Sequence, residues 1–472
     1  MFRLLPALLL VLACGGRAST APKAEPKGEK KVEKNDEKHD GKKDDGRIVE
    51  KPKLVAANNE VHAPPLVIFF VLDTVRSDHL SLCGYERPTS PFLQELVSQG
   101  AAHACFAYSP GTWTIPSHAS YFTGVNPSEH KLLDPGFPLP QEHETLAESF
   151  AGAGYQTVFV GANPTIGKPS GLWQGFHVAR ASEGLKSAWR HDALVDQVAD
   201  ALTHVDREKP LFLFVNLFDA HDPYPAVPPD VKWLPRRLAL DILPDHKHTS
   251  NEIDAWWKGE LAKGDAKDLM GQMTDTYDYG VSLSDRGVRG IIEGMREKGW
   301  MNRPYRIVVT SDHGEHLGEH DLLRHDGPPW EGVARVPLLF LDTSLPTQPT
   351  LPRPVSALDA YFLVRDGALP SPASAVVSSS VQHRADGWTG QMADAVAMWQ
   401  PDGTKYMWID GKVRTFSLMT DPHEKRPAQP TGPAPATFDA SVAALQAMKA
   451  AAAGQTADPE VLKMLEAVGY MN

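Results

Sequence analysis

Leu66-Val67-Ile68-Phe69-Phe70-Val71-Leu72 is an unbroken apolar run that ends in Asp73. A strand with one wet face alternates apolar and polar residues, whereas one with no alternation is covered on both faces. Arg306-Ile307-Val308-Val309-Thr310 is a second such run and Pro210–Phe218 a third. Between them lie helical patterns at Ser90–Gln99, Glu144–Ala153, Ala193–Val205 and Asp268–Lys298, with further strands at Thr157–Gly161 and Val336–Leu341. Strands alternating with helices predict an α/β fold, a mostly parallel mixed sheet sandwiched by helices. In such sheets ligands bind beyond the carboxyl ends of the strands. Asp73 and the sequence Ser311-Asp312-His313-Gly314-Glu315 fall there, which makes Asp73, Asp312 and His313 candidate ligands of one divalent cation.

Thr114-Ile115-Pro116-Ser117-His118 supplies the second constraint. Proline suits the first turn of a helix, where its missing N–H costs nothing, and Gly124 is a natural stop. Thr114 therefore stands at the positive end of a helix dipole, which favours an anionic substrate or an alkoxide. It is the candidate nucleophile and a further candidate metal ligand. Asp219-Ala220-His221-Asp222-Pro223-Tyr224, at the end of the third strand, and the distant His325 add polar groups at the same end of the sheet.

From about Pro65 to Leu341 the chain resembles the sulfatase family of the alkaline phosphatase superfamily. The resemblance is carried by Asp73-Thr74-Val75-Arg76-Ser77-Asp78-His79-Leu80, Pro88-Thr89-Ser90-Pro91-Phe92-Leu93 and Thr112 to Ser120. It continues in Asp219 to Tyr224, Tyr277-Asp278, Thr310 to Glu315, Gly318-Glu319-His320 and Arg335-Val336-Pro337-Leu338-Leu339. Weaker echoes are Lys405-Tyr406-Met407, Asp421-Pro422-His423-Glu424, Asp458-Pro459-Glu460-Val461 and Gly469-Tyr470. It implies an alkaline phosphatase-like fold, a metal-dependent hydrolase, and His221 and His325 facing the transferred group or its leaving oxygen. Asp219, His221 and His325 match either a substrate-binding set or a second metal site, the former being favoured.

Three positions depart from the family pattern. Thr114 replaces the Cys or Ser that sulfatases oxidise to formylglycine, and threonine cannot form that aldehyde. A threonine sulfate has no easy elimination route, whereas water can cleave a threonine phosphate at phosphorus. His118 replaces an arginine, and its imidazole is a candidate for stabilising charge on the transferred group. Thr74 replaces a second acidic ligand, so the remaining oxygen and nitrogen donors suit Mn²⁺ or Zn²⁺ at least as well as Ca²⁺. These features predict cleavage or transfer of phosphate esters of a small molecule, glycan or lipid through Thr114. The alternatives are a sulfuric ester hydrolase, or a non-catalytic binding protein on the same scaffold.

The amino terminus reads Met1-Phe2-Arg3, an apolar stretch Leu4–Leu12, then Ala13-Cys14-Gly15. This resembles a lipoprotein signal, with residues 1–14 as the leader and lipidation at Cys14, and implies a membrane anchor and a cell-envelope location. Residues 15–63 alternate Lys with Asp and Glu around few apolar groups, a charged tether that buries too little to order itself. Residues 64–350 are the expected catalytic domain, 351–425 a small antiparallel subdomain built on Ala393–Trp399, Thr404–Ile409 and Val413–Leu418, and 426–472 a tail. A net charge of −12 argues against nucleic acid as a partner. With Cys14 lipidated, Cys83 and Cys105 remain, and two buried thiols are favoured over a bridge.

Overall fold

The computed structural model describes residues 61–132, 136–234, 255–256, 258–260, 263–325, 327–381, 393–409, 411–452 and 456–467. The expectations for Cys14, the leader, most of the tether and Gly469-Tyr470 lie outside these residues.

The strands in chain order are β1 (Leu66–Leu72), β2 (Ala102–Tyr108), β3 (Gln156–Gly161), β4 (Val178–Ala181), β5 (Leu211–Leu217), β6 (Tyr305–Thr310), β7 (His316–Leu317), β8 (Leu323–Arg324), β9 (Arg335–Asp342), β10 (Val355–Ser356), β11 (Val377–Ser380), β12 (Ala395–Trp399), β13 (Thr404–Ile409) and β14 (Lys412–Ser417). The helices are α1 (Pro91–Ser98), α2 (Thr114–Thr123), α3 (Pro127–His130), α4 (Leu146–Gly152), α5 (His191–Ala201), α6 (Lys263–Glu297), α7 (Glu331–Ala334), α8 (Ala360–Asp366), α9 (Ala436–Ala452) and α10 (Pro459–Ala467). The main sheet has the order β10-β2-β9-β6-β1-β5-β3-β4, and only its pairings with β9 are antiparallel. The mostly parallel α/β sandwich is thus the observed fold.

Strand β1 is central, and its two sets of side chains serve two cores. Leu66, Ile68, Phe70 and Leu72 pack with Phe92 and Leu96 of α1, Leu194 and Val198 of α5, and Val288 and Ile292 of α6. Val67, Phe69 and Val71 face Ile115 and Ala119 of α2, Phe150 of α4, and Leu363 and Val364 of α8. Each large side chain buried this way contributes about 1.5–3 kcal/mol, so neither face can be wetted cheaply. The unbroken apolar run follows from this two-sided burial. α6 passes close enough over the end of β5 that a Cβ on Gly280 would lie 2.2 Å from the Asp219 carbonyl oxygen.

The second sheet, β11-β12-β13-β14, is antiparallel throughout. Trp399 of β12 stacks on Tyr108 of β2 at 4.1 Å between ring centres, and Met407 and Phe416 join Trp330 in the same cluster. The buried ammonium of Lys405 donates to the Pro329 carbonyl at 2.7 Å and pairs with Glu424 and Glu331. The segment read as a tail carries two helices, and Phe438 and Leu445 of α9 are buried against Val396 and Trp408. Strand β2 was not anticipated: Ala102-His103-Ala104-Cys105-Phe106-Ala107-Tyr108 lacks the β-branched signal and is only partly buried.

Cys83 and Cys105 form a disulfide across 22 residues, so the expectation of two separate thiols is corrected. The bridge ties the loop after β1 to β2, at a strand that packing holds only in part. A loop of that length predicts a stabilisation of about 3 kcal/mol from the constrained unfolded chain. Cys83→Ser/Cys105→Ser should therefore unfold at lower denaturant by about that amount. Denatured, unreduced protein should show neither thiol to alkylation.

Candidate active site

Four neighbouring strands, in the order β6-β1-β5-β3, each deliver a polar side chain at the carboxyl end. Val71 pairs with Thr310, so continuing the register by two brings Asp73 level with Asp312. Asp73 accepts from the Asn216 side chain of β5 at 3.2 Å and from Asn163, just beyond β3, at 2.8 Å, both on Oδ2. Asp312 accepts the backbone N–H groups of Thr74 at 3.2 Å and His313 at 3.0 Å on Oδ1. The remaining oxygens, Asp73 Oδ1 and Asp312 Oδ2, have no hydrogen-bond partner. They lie 4.0 and 3.5 Å from His313 Nε2. His313 Nδ1 donates to the Gly314 carbonyl at 2.9 Å, which fixes the tautomer with a lone pair on Nε2. Gly314 is required here, because a Cβ would meet the Gly332 carbonyl oxygen at 2.1 Å.

Thr114 completes the cluster from α2. It is the first residue of the helix, with Trp113 at the cap position, so its hydroxyl is not spent on capping. Thr114 Oγ1 lies 3.4 Å from His313 Nε2 and accepts from Asn163 Nδ2 at 3.2 Å. All of these groups are at most 1% exposed.

The electrostatics follow from that burial. Desolvation first, and then Asp312, push the Asp73 carboxyl up to about 8. Desolvation pushes Asp312 up to about 7 against its backbone hydrogen bonds. Burial also holds His313 neutral. Two side-by-side carboxylates at zero exposure are costly as anions. Their two partnerless oxygens and a lone-pair nitrogen, all within 4.8 Å of one another, fit a divalent cation. Asp73, Asp312 and His313 would hold it, with the Thr114 hydroxyl beside them.

Thr74 adds no ligand. It sits in the left-handed region at φ 59°, rare for a β-branched residue, and its hydroxyl donates to the Asp73 carbonyl at 2.8 Å. That turn aims its N–H at Asp312. Tyr277 holds the turn by donating to the Thr74 carbonyl at 2.7 Å. Arg76 ties the same loop to the segment after β6: it donates to the Glu315 carbonyl and pairs with Glu319 and Asp78.

The other expected residues divide. His221 and His325 do approach the cluster: the His325 ring lies 4.7 Å from His313 and 5.1 Å from His221. Behind His325, Glu315 Oε1 is 3.5 Å from Nδ1. His118 is buried against the cluster, with Nδ1 3.6 Å from Asp312 Oδ2. Its Nδ1 donates to the Thr114 carbonyl at 2.9 Å, Phe214 meets its ring edge-on, and burial lowers it to about 3. It is neutral and does not replace the charge of an arginine. Asp219 points elsewhere: Oδ1 accepts the His191 N–H at 3.1 Å, at the start of α5. Among the described residues, Asp219, His221 and His325 do not form a second metal cluster. Asn163 and Asn216 were not anticipated. The only signal was an asparagine inside, or just after, an apolar strand, and a buried amide there needs partners.

Asp312→Asn should abolish tight divalent-ion binding, with about a hundredfold or greater loss of affinity. Elemental analysis after dialysis against Mn²⁺ or Zn²⁺ measures it. Full occupancy in that variant would place the ion elsewhere.

A profile of the sulfatase family matches residues 65–361. The chain is 23% identical over 319 residues to an ulvan-active sulfatase from Formosa agariphila; the match covers 62% of this chain and 58% of that relative, so the chain spans little more than half of it. Among solved structures, the phosphonate monoester hydrolase of Agrobacterium radiobacter superposes with a TM-score of 0.60 at 17% identity, covering 82% of this chain and 96% of that one. A 2-O glycosaminoglycan sulfatase superposes with a TM-score of 0.59 at 14% identity, covering 85% and 96%. At such identities the structural likeness speaks for the fold, and the profile speaks for the family: this chain belongs to the sulfatase family.

Proposed function

We propose that the protein is a divalent-metal-dependent hydrolase of phosphate esters with Thr114 as its covalent nucleophile. The supporting observation is a threonine hydroxyl, which cannot become formylglycine, 3.4 Å from His313 Nε2 at the first residue of a buried helix. When bound, the cation supplies Lewis acidity and lowers the proton affinity of the oxygens around it. The three-oxygen, one-nitrogen donor set suits Mn²⁺ or Zn²⁺ more than Ca²⁺.

The chain's own groups do the rest. The start of α2 presents its dipole to the anionic group. Thr114 Oγ1 gives its proton to Asp312 and forms the bond to phosphorus. The bond from phosphorus to the alcohol oxygen breaks in line, and His325 protonates that oxygen. Burial first, and then His313, His221 and Arg324, keep His325 neutral in the free protein, and an anionic ester against the ring would favour its cationic form. His221 lines the same approach. Water then takes the phosphoryl group and Thr114 recovers its proton.

The sulfuric ester reading rests on the sulfatase relatives, and it requires a route for releasing sulfate from threonine without elimination. Matched aryl phosphate and aryl sulfate substrates separate the two. Phosphate should be cleaved faster, and Thr114→Ala should lose at least about 10²-fold in kcat. Intact mass during turnover should show phosphate on Thr114. Preferential cleavage of the sulfate by both proteins would overturn the proposal.

Anchoring through a lipid on Cys14 is the second part of the proposal, carried by Leu12-Ala13-Cys14-Gly15. Among the described residues no helix is long and apolar enough to cross a membrane. Cys14→Ser should shift the protein from the membrane to the soluble fraction. An unchanged distribution without an acyl label would refute the anchor.

A further inference from the structure

We infer that Asn163 is a further catalytic residue, whose carboxamide donates to the Thr114 oxygen and sets the direction of attack. The inference rests on the reading of Thr114 as nucleophile. Its own basis is a hydrogen-bond arrangement that leaves the amide one orientation. Asn163 Oδ1 accepts from the Thr165 N–H at 2.9 Å and from the Thr165 hydroxyl at 2.7 Å. The backbone N–H can only donate, so the oxygen must face Thr165 and the NH₂ must face the site. Asn163 is fully buried, and its own N–H is fixed on Asn216 Oδ1 at 2.9 Å. Neither the side chain nor the backbone beneath it is free to swing.

The NH₂ group reaches Asp73 Oδ2 at 2.8 Å and Thr114 Oγ1 at 3.2 Å. An N–H on Oγ1 occupies one lone-pair direction. The hydroxyl proton is thereby turned away, toward the Asp312 carboxylate, and a second lone pair is left for the incoming phosphorus. As the proton leaves, the same N–H faces a growing negative charge in a water-free site, where a preset donor is most effective. The bond to Asp73 Oδ2 has a different result: with Asn216 it occupies that oxygen and turns Oδ1 toward the other ligands. One amide therefore organises both the nucleophile and a cation ligand. No other described side chain makes both contacts.

The test compares Asn163→Ala and the isosteric Asn163→Asp with the wild type and Thr114→Ala. Substrate saturation curves at saturating Mn²⁺, the burst of phosphate on Thr114, elemental analysis and thermal melting are followed. Removing one such donor should lower kcat by about 10²–10³ with KM within about threefold, and slow the burst to match. Mn²⁺ affinity should fall by about tenfold through the lost support of Asp73. If Asn163→Ala fails to fold, Asn163→Asp carries the same comparison, since its carboxylate keeps the shape and has no N–H to donate. A folded variant whose burst rate matches the wild type overturns the role of Asn163 while leaving Thr114 in place. An equal loss of kcat whose burst rate is unchanged overturns it too. An active Thr114→Ala, with no phosphate trapped on the wild type, overturns the nucleophile and this inference together.

Discussion

Two carboxylates with no access to water sit level on neighbouring parallel strands, and the rest of the site is arranged around that cost. Asp73 and Asp312 are both at zero exposure. Left to themselves they would hold protons near neutral pH. The described residues supply four donors, two amides to Asp73 and two backbone N–H groups to Asp312, yet among them no fixed positive side chain pairs with either carboxylate. His313 and His118 are both neutral by burial. A divalent ion would provide the missing positive charge, and the strained turn at Thr74 and the glycine at 314 hold the backbone that carries these oxygens.

The helix carrying Thr114 is set into the same frame from the other side. Its apolar residues Ile115 and Ala119 belong to the core under β1. The second sheet also reaches it, since Ser379 of β11 donates to the Pro110 carbonyl, four residues before Thr114. The antiparallel subdomain is therefore joined directly to the loop that presents the nucleophile. The disulfide fixes β2, which leads into that loop.

The metal cluster was legible because it is local in pattern: each ligand ends an apolar strand or opens a helix. Asp73, Thr114, Asp312 and His313 carry that mark and do come together. His221 and His325 also reach the site, though their approach depends on loop geometry that periodicity does not encode. Asp219 bears the same mark as Asp73 and caps α5 instead, so a carboxylate ending a strand is only a candidate until its neighbours are known. Asn163 and Asn216 were invisible because a single amide in an apolar run has no period and no charge. Cys83 and Cys105 paired because β2, an unrecognised strand, lies beside the loop after β1. Proximity of that kind belongs to topology rather than to composition.

The reach of β1 has a consequence for how the molecule comes into being. Thr74 and Asp312 are 238 residues apart, and Asn163 lies 90 residues from Asp73. Loops of that size close late and slowly, and strands paired across them form only when most of the chain is already in place. Asp312 and His313 follow β6, so they cannot meet Asp73 in a chain that ends before that strand. An ion that needs all three ligands therefore ignores every incomplete form and stabilises the finished one in proportion to its concentration over Kd. A cation held by these three residues would thus favour the finished fold over every partial one.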